Sequence, residues 1–517
     1  MSRLLSTAVT LALACSTVPA LKAQSVAGEP SRTTQQTAPT WRSAAFPEYQ
    51  AARIDYREMP VARLLDLQKR NALRQRKGVQ IGMARKLATE GATTAASPVL
   101  QWRTVSGGAV ARARISSPDA LAVRVGLQVK QLHPDVELRF AGSDAPGDVV
   151  EVITAARAQS LADAQGIYWS PSTDGQTQWI EIYRPAHVVA SRARLSAPQI
   201  AHLIANSRND FKIVEKIGES GSCNVDAVCR VAELGERYSR ALRSVAHMQF
   251  VTQDSSGQSG VYICTGTLLN DTNQATQTPY FYSAHHCIST QAEASTLNTF
   301  WGYEATTCGG GVAAATRRLS GGATYLYSDA NTDALLLRLN DAAPAGVEFS
   351  GWDSAAIPAS SAVLAIHHPR GDVKKVSSGQ HIPAASDAWE NGVGWSSGTT
   401  EGGSSGSALF TLASDGYRLR GGLHGGNASC ANSGNLSNTQ NRDYYSRFDV
   451  VFPSISKWLA PTGPHLANGS QPLVPGQVPA AVRSAAPAMA TPAAAPVTRS
   501  AKRTPIRTRG WIRQVEL

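Results

Sequence analysis

Six of the seven cysteines fall between residues 223 and 430, at Cys223, Cys229, Cys264, Cys287, Cys308 and Cys430, and this crowding constrains the fold more than any other feature. The seventh, Cys15, lies in a leader. Residues 1–23 carry Arg3, a short apolar run from Thr7 to Ala14 and then small residues, with Ala20 or Ala23 ending a cleavage site. That is the pattern of a secretory signal peptide, too short to span a membrane stably. No other stretch reads as a membrane span, so no membrane partner is expected. An even number of cysteines left in an exported chain reads as three disulfides, whose pairing the count leaves open. A rival reading makes His285, His286 and Cys287 a metal site. Adjacent ligands share one tetrahedral ion poorly, and no Cys-x-x-Cys pair helps them, so neither metal nor cofactor is expected.

The formal charge of +11 would suggest a nucleic-acid partner if it belonged to the cysteine-rich part. It does not. Residues 218–463 hold 15 Lys/Arg against 20 Asp/Glu, and residues 464–517 hold 7 against 1. The working region is therefore acidic, and no nucleic-acid partner is expected.

The organisation follows from local pattern. Residues 25–45 are rich in Thr, Ser, Gln and Pro and read as loose chain. Pro60 to Lys86 is rich in Leu, Arg, Gln and Ala with apolar residues at helical spacing, which predicts a helix. Across 99–190, segments such as Val136-Glu-Leu-Arg-Phe and Trp179-Ile-Glu-Ile-Tyr alternate apolar with polar side chains between turn residues and predict a small β-sandwich. Residues 191–217 read as a linker with a short helical piece at His202-Leu-Ile-Ala205. Residues 218–460 hold many short strands split by Gly, Ser, Asn and Asp turns, the signature of an all-β sandwich or barrel pair. From Pro461 onward the chain is a Pro/Ala-rich basic tail.

Within the all-β region, Gly403-Ser-Ser-Gly-Ser407 runs into the apolar Ala408-Leu-Phe410. A serine that attacks a carbonyl needs open space and backbone N–H groups aimed at the developing oxyanion, and glycines supply both. Serine is also a poor nucleophile at neutral pH. A histidine must take its proton, and a carboxylate must hold the imidazole in the right tautomer. Ala284-His-His-Cys287 and Asn331-Thr-Asp333 precede the serines, each beside a strand-like run, so the chain order is His, Asp, Ser. Asp329 competes for the carboxylate role, and Ser404 and Ser407 compete with Ser405 as loop serines. An esterase elbow wants glycine two places after the serine, and after Ser405 that place is Ser407.

These segments resemble the chymotrypsin-like serine peptidases. The match sharpens over Gly218-Glu-Ser-Gly-Ser-Cys223, Cys264-Thr-Gly-Thr, Ala284-His-His-Cys287, Gly351-Trp-Asp353, Ala365-Ile-His-His-Pro369, Gly403-Ser-Ser-Gly-Ser407 and Leu423-His-Gly-Gly-Asn-Ala-Ser-Cys430. In this order they resemble the secreted bacterial lysyl endopeptidases. The resemblance implies an all-β fold, with a chymotrypsin-like double β-barrel catalytic domain over 218–460 preceded by a β-rich pro-domain within a 24–217 pro-region. It implies His286 as base, Asp333 as its orienting carboxylate and Ser405 as nucleophile, with Gly403 and Ser405 N–H groups in the oxyanion hole. It also implies the pairs Cys223–Cys430, Cys229–Cys308 and Cys264–Cys287.

By the same resemblance, Asp443 sits at the base of the specificity pocket to receive a lysine ammonium, with Gly425, His424 and Trp389 around it. Trp395 competes with Trp389 for that match, and the bland alternative for Asp443 is a salt bridge to Arg442 or Arg447. A carboxylate pocket takes arginine as well unless its depth excludes the larger cation. The expected partners are protein or peptide substrates and the chain's own pro-region, and a monomer is expected. Glu215-Lys216-Ile217 stands just before the matching region, so an enzyme that cuts after lysine could release its own mature domain there. The expected location is extracellular or periplasmic. The competing function is a catalytically inactive chymotrypsin-fold binding protein, which would be expected to have lost a triad residue or the oxyanion glycines, and neither loss is visible.

Overall fold

A computed structural model describes residues 23–35, 37–72, 78–208, 219–253, 257–311 and 317–461. The leader, the bond after Lys216 and nearly all of the basic tail lie outside these residues.

The helix read across Pro60 to Lys86 is only its first half, Val61–Ala72. Val79–Lys86 is a strand, and its first seven residues are buried. Both of its edges are paired, one with Gln199–Leu203 and the other with Ser259–Leu269. A strand covered on both faces loses the alternation that marks strands in a sequence, so helix-forming composition misleads there. The same correction applies to His202-Leu203, which belongs to the strand Gln199–Leu203 between Val79–Lys86 and Ala122–Gln128.

The alternating segments of 99–190 do form strands. One sheet runs through Ala52–Asp55, Gly108–Ser116, Thr177–Pro185, Glu137–Gly142 and Glu151–Thr154. Its inward Ile54, Ile115, Leu138, Phe140, Ile180 and Ile182 meet Val123, Val125, Leu127 and Ile200 of the facing sheet in one buried cluster. The second sheet is not private to this domain. Through Val79–Lys86 it continues into the barrels that follow.

Residues 245–339 form a half-barrel ordered Ala323–Asp329, Ala334–Leu339, Tyr280–Ala284, Ser259–Leu269, Val245–Gln253, Asn298–Trp301 and Arg317–Leu319. Six strands close the second barrel: Ala408–Ala413, Ala362–His367, Lys375–His381, Glu390–Ser397, Asp443–Ser446 and Gly416–Gly426, the last pairing back with the first. The helix Phe448–Leu459 buries Phe448, Val451, Phe452 and Ile455 against Trp352 and Tyr282. This is the chymotrypsin-like double barrel, preceded by a β-rich domain. Its disulfides are Cys223–Cys430, Cys229–Cys308 and Cys264–Cys287. The longest-range one closes a loop of 207 residues, for which the chain-entropy model gives roughly 5 kcal/mol.

The start of the chain, read as loose, is strand-like in its first part. Ser25–Val26 pairs with Trp352 and Asp353, and Glu29–Pro30 pairs with Glu348 and Phe349. Ala27 and Gly28 carbonyls accept from Asn270 and Arg240. Such a segment has no core of its own, and its order comes from backbone groups completing another sheet's edge.

The N-terminal domain also meets the barrels through side chains. Arg124 is buried, and its guanidinium donates to the carbonyls of Ser170 at 2.8 Å and Thr296 at 2.9 Å; burial draws its pKa down to about 9. Arg157 bridges to the Gly321 carbonyl and faces Asp341 at 3.5 Å. Beside that pair, burial and the charge of Asp341 push the Glu151 carboxyl from 4.5 up to about 7. Protonated Glu151 suits the folded chain and ionised Glu151 opposes it. The stabilisation from this group is therefore complete below pH 4.5 and lost as pH rises through about 7. Glu151→Gln should raise the thermal midpoint of the full chain at pH 8 but not at pH 4. Equal shifts at both pH values would contradict this.

Candidate active site

Three segments converge between the barrels. Tyr280–Ala284 ends where its backbone meets the strand Ala334–Leu339, with Ala284 opposite Ala334. The residues just beyond that pairing, His286 and Asp333, are thus brought together by register. Asp333 has a left-handed backbone, φ 55°, a conformation that aspartate tolerates better than most residues. Its Oδ1 accepts the His286 backbone N–H at 2.9 Å, and its Oδ2 lies 2.6 Å from His286 Nδ1. The Asp333 carbonyl accepts from His285 N at 2.8 Å. On the far side of the ring, His286 Nε2 lies 2.7 Å from Ser405 Oγ. Both His286 and Asp333 side chains are almost fully buried.

The rival candidates are engaged elsewhere. His285 Nδ1 lies 2.6 Å from Ser328 Oγ. Asp329 caps its own turn, accepting from Thr332 Oγ1 at 2.8 Å. Ser404 Oγ lies 2.8 Å from His367 Nδ1, and His367 Nε2 lies 3.0 Å from Ser377 Oγ, which donates to the Thr399 carbonyl. Ser407 is buried behind the loop. Cys264 and Cys287 bind each other, so the cysteine sulfurs that a metal reading would need beside His286 are not thiolates.

The loop around Ser405 needs its glycines. Gly406 has φ 79°, and a Cβ there would fall 2.0 Å from Ser283 Oγ and 2.6 Å from the Thr265 carbonyl. Gly403 has φ 93° with the His368 carbonyl 2.8 Å from where a Cβ would stand. Thr265 N donates to the Ser405 carbonyl, fixing the loop to the first barrel. Among the described residues, no acceptor takes the backbone N–H of Gly403 or Ser405.

Glu401 holds the other flank of the loop. Its carboxylate accepts from Gly221 N and Asn224 Nδ2, both at 2.8 Å, and from Arg370 Nε at 3.1 Å. The Cys223–Cys430 bond tethers the same Gly221–Asn224 segment.

Asp443 is fully buried in the second barrel. Its Oδ2 accepts from Trp395 Nε1 at 2.7 Å and from Thr400 Oγ1 at 2.6 Å. An indole N–H and a hydroxyl are neutral donors that fix the orientation of the carboxylate. Arg442 instead donates to the carbonyls of Asn438, Asn441 and Leu436, and Arg447 to Asp449. Gly425 pairs with Tyr444, and Gly426 with Asp443, at the same edge. His424 sits between the two sites, its ring 5.8 Å from the His286 ring and its Nδ1 2.5 Å from Glu390 Oε1. Trp389 is 47% exposed beside Glu390, so it is Trp395 that touches the carboxylate. Thr400 and Glu390 carry no sequence signal, because each acts only through a partner brought near by strand pairing.

Comparison with known proteins adds an independent line. Residues 217–446 match the family model described as lysyl endopeptidase, C-terminal domain, and residues 55–204 match the lysyl endopeptidase N-terminal domain. A protein of Pseudomonas aeruginosa PAO1 named lysyl endopeptidase is 38% identical over 397 residues, which cover 74% of this chain and 82% of the relative. Among solved structures, the active form of a protease from M. tuberculosis aligns at 13% identity and a TM-score of 0.29 over 50% of this chain and 96% of its own. An inactive mutant form of it aligns at 11% and 0.29, over 48% and 99%.

Proposed function

Because this chain belongs to the lysyl endopeptidase family and is a serine endopeptidase, we propose that His286, Asp333 and Ser405 form its catalytic triad and that it cuts on the carboxyl side of lysine. The observation that carries the chemistry is the line of contacts from Asp333 Oδ2 through His286 to Ser405 Oγ, 2.6 and 2.7 Å long. Ser405 Oγ attacks the carbonyl while its proton passes to His286 Nε2. Asp333 stabilises the imidazolium that results. The oxyanion faces the N–H groups of Gly403 and Ser405, each worth about 3–4 kcal/mol in comparable sites. His286 then protonates the leaving amine, and water frees the acyl group.

The lysine preference rests on Asp443. A buried carboxylate attracts a cationic side chain more strongly than a neutral or anionic one, because charges interact more strongly away from water. Breaking a buried charge pair of this kind costs about 3–5 kcal/mol, so Asp443→Asn should lower kcat/KM for a lysyl peptide by a hundredfold or more. Cleavage of an uncharged activated ester should fall far less. If both substrates fell equally, Asp443 would be acting on the loop and not in the pocket. Digestion of an unstructured protein with mass mapping of the cuts tests the specificity directly. Cuts after lysine alone support the reading, cuts after arginine as well widen the pocket, and cuts elsewhere overturn it.

The reading extends to a precursor. Residues 24–217 act as a pro-region on an exported chain, and cleavage after Lys216 frees the peptidase domain. Ser405→Ala tests self-processing: persistent cleavage at Lys216 in a host without other peptidases would rule it out.

A further inference from the structure

The short strand Gly351–Asp353 lies beside the second barrel, where Gly351 and Trp352 pair in parallel with Arg418 and Leu419 of Gly416–Gly426. Its other edge would present unpaired backbone groups, and such edges recruit extended chain. Ser25–Val26 covers it, with Ser25 opposite Asp353 and Val26 opposite Trp352. Gln24 and Ser354 close the end. Ser354 N donates to the Gln24 carbonyl at 2.9 Å, and Gln24 N donates to Ser354 Oγ at 2.8 Å. Three residues further on, Glu29–Pro30 pairs with Glu348–Phe349, and Ser31 N donates to the Val347 carbonyl at 2.9 Å.

This contact is more selective than edge pairing alone. A Cβ on Gly28 would stand 2.8 Å from the Phe349 carbonyl oxygen and 3.1 Å from Gly351 N. A Cβ on Gly351 would overlap the Val26 carbonyl oxygen and lie 2.8 Å from Gly28 N. Backbone cannot swing aside as a side chain can, so the edge selects glycine at position 28. Side chains of the barrels then read the carbonyls around it. Asn270 Nδ2 donates to Ala27 at 2.9 Å, Arg240 Nη2 to Gly28 at 2.7 Å and Gln277 Nε2 to Pro30 at 2.8 Å. Gln277 Oε1 also accepts from Arg32 N at 2.7 Å. Arg240 is held in place by the buried Glu348, whose Oε1 accepts from its Nε at 2.7 Å.

The groups that hold residues 24–32 thus belong to the barrels. The chain joins the N-terminal domain further on, where Trp41 Nε1 donates to the Pro146 carbonyl at 2.9 Å and Arg42 meets Glu137 at 2.7 Å. Between the two attachments Thr34, Gln35 and Thr37 to Thr40 are exposed. Exposed polar chain of this kind is where a backbone is readily cut.

We propose that the Gly351–Asp353 edge is a second peptide-binding site, whose occupant is this chain's own residues 24–32, and that this segment stays there as a separate strand once its connection to the N-terminal domain is severed. Main-chain pairing supplies the hold and the close approach of Gly28 to Gly351 supplies the selectivity, as in other cases of strand addition. The inference stands apart from the triad and the lysine preference.

The test uses the full-length Ser405→Ala chain with the recognition sequence of a site-specific protease inserted between Ala38 and Pro39. After cutting, native gel filtration is followed by mass spectrometry of each fraction. The amino-terminal peptide should co-elute in equal amount with the rest of the chain and come free on denaturation. Hydrogen exchange on the same cut sample should show the Ser354 amide protected. In Gly28→Val, a change confined to a segment with no core of its own, the peptide should be lost from the main fraction. A peptide that elutes alone from the Gly28 form overturns the proposal. So does one that remains bound in Gly28→Val, or one that remains bound while the Ser354 amide exchanges freely.

Discussion

Ser405→Ala should lower kcat for a lysyl peptide by about a millionfold. The size follows from how the three side chains act. Removing the nucleophile of a serine–histidine–aspartate unit costs nearly as much as removing the whole unit, because the remaining members have nothing left to activate. Ser405 Oγ is the atom within 2.7 Å of His286 Nε2, whereas the Ser404 hydroxyl is held by His367. Neither neighbour can take over. Substrate binding should survive, since Asp443 and the backbone donors are untouched, so KM should change little. Single-turnover kinetics with an activated lysyl ester would check this. A residual rate above a thousandth of wild type would mean that another group attacks.

Asp333→Asn should cost about ten-thousandfold in kcat at neutral pH. An amide presents an N–H where the carboxylate presents an acceptor, so His286 Nδ1 becomes the acceptor, the ring proton sits on Nε2, and no lone pair is left there to take the Ser405 proton. Asp333 also accepts the backbone N–H of His286, and asparagine keeps that bond through its carbonyl. The loop should therefore hold its shape while the chemistry fails. The thermal midpoint of the variant should stay near wild type as kcat collapses. Asp333→Ala, which removes both bonds, should lose stability as well. If the asparagine form kept more than a tenth of wild-type kcat, Asp333 would not be orienting the base.

Much of this architecture is legible in the sequence where one face of a strand meets solvent. Val136-Glu-Leu-Arg-Phe and Trp179-Ile-Glu-Ile-Tyr alternate because their outer faces are polar, Glu137 and Arg139 partly exposed and Glu181 buried but ion-paired with Arg112, and both are strands. Val79–Lys86 and Gln199–Leu203 escape that reading because they are central strands buried on both faces. Ser25–Pro30 escapes it for the opposite reason: it is held largely through its backbone groups, which leave no residue signature.

The candidate site divides in the same way. His286, Asp333 and Ser405 stand in compact motifs beside strands, so their neighbours announce them. Trp395 and Thr400 reach Asp443 only because Glu390–Ser397 pairs with Asp443–Ser446 across half a barrel.

The buried relay from Ser404 through His367 and Ser377 to the Thr399 carbonyl has a further consequence. It braces the nucleophile loop from below with side chains, none of which is supplied by the chain segment that processing after Lys216 would expose. The contacts that join Asp333, His286 and Ser405 are thus already made with the N-terminal domain in place. On the proposed precursor reading, latency is a matter of occupancy and not of folding. On the proposed processing, the freed domain would compete with other peptides for the edge of Ser259–Leu269, and simple dilution would set how quickly the enzyme switches on.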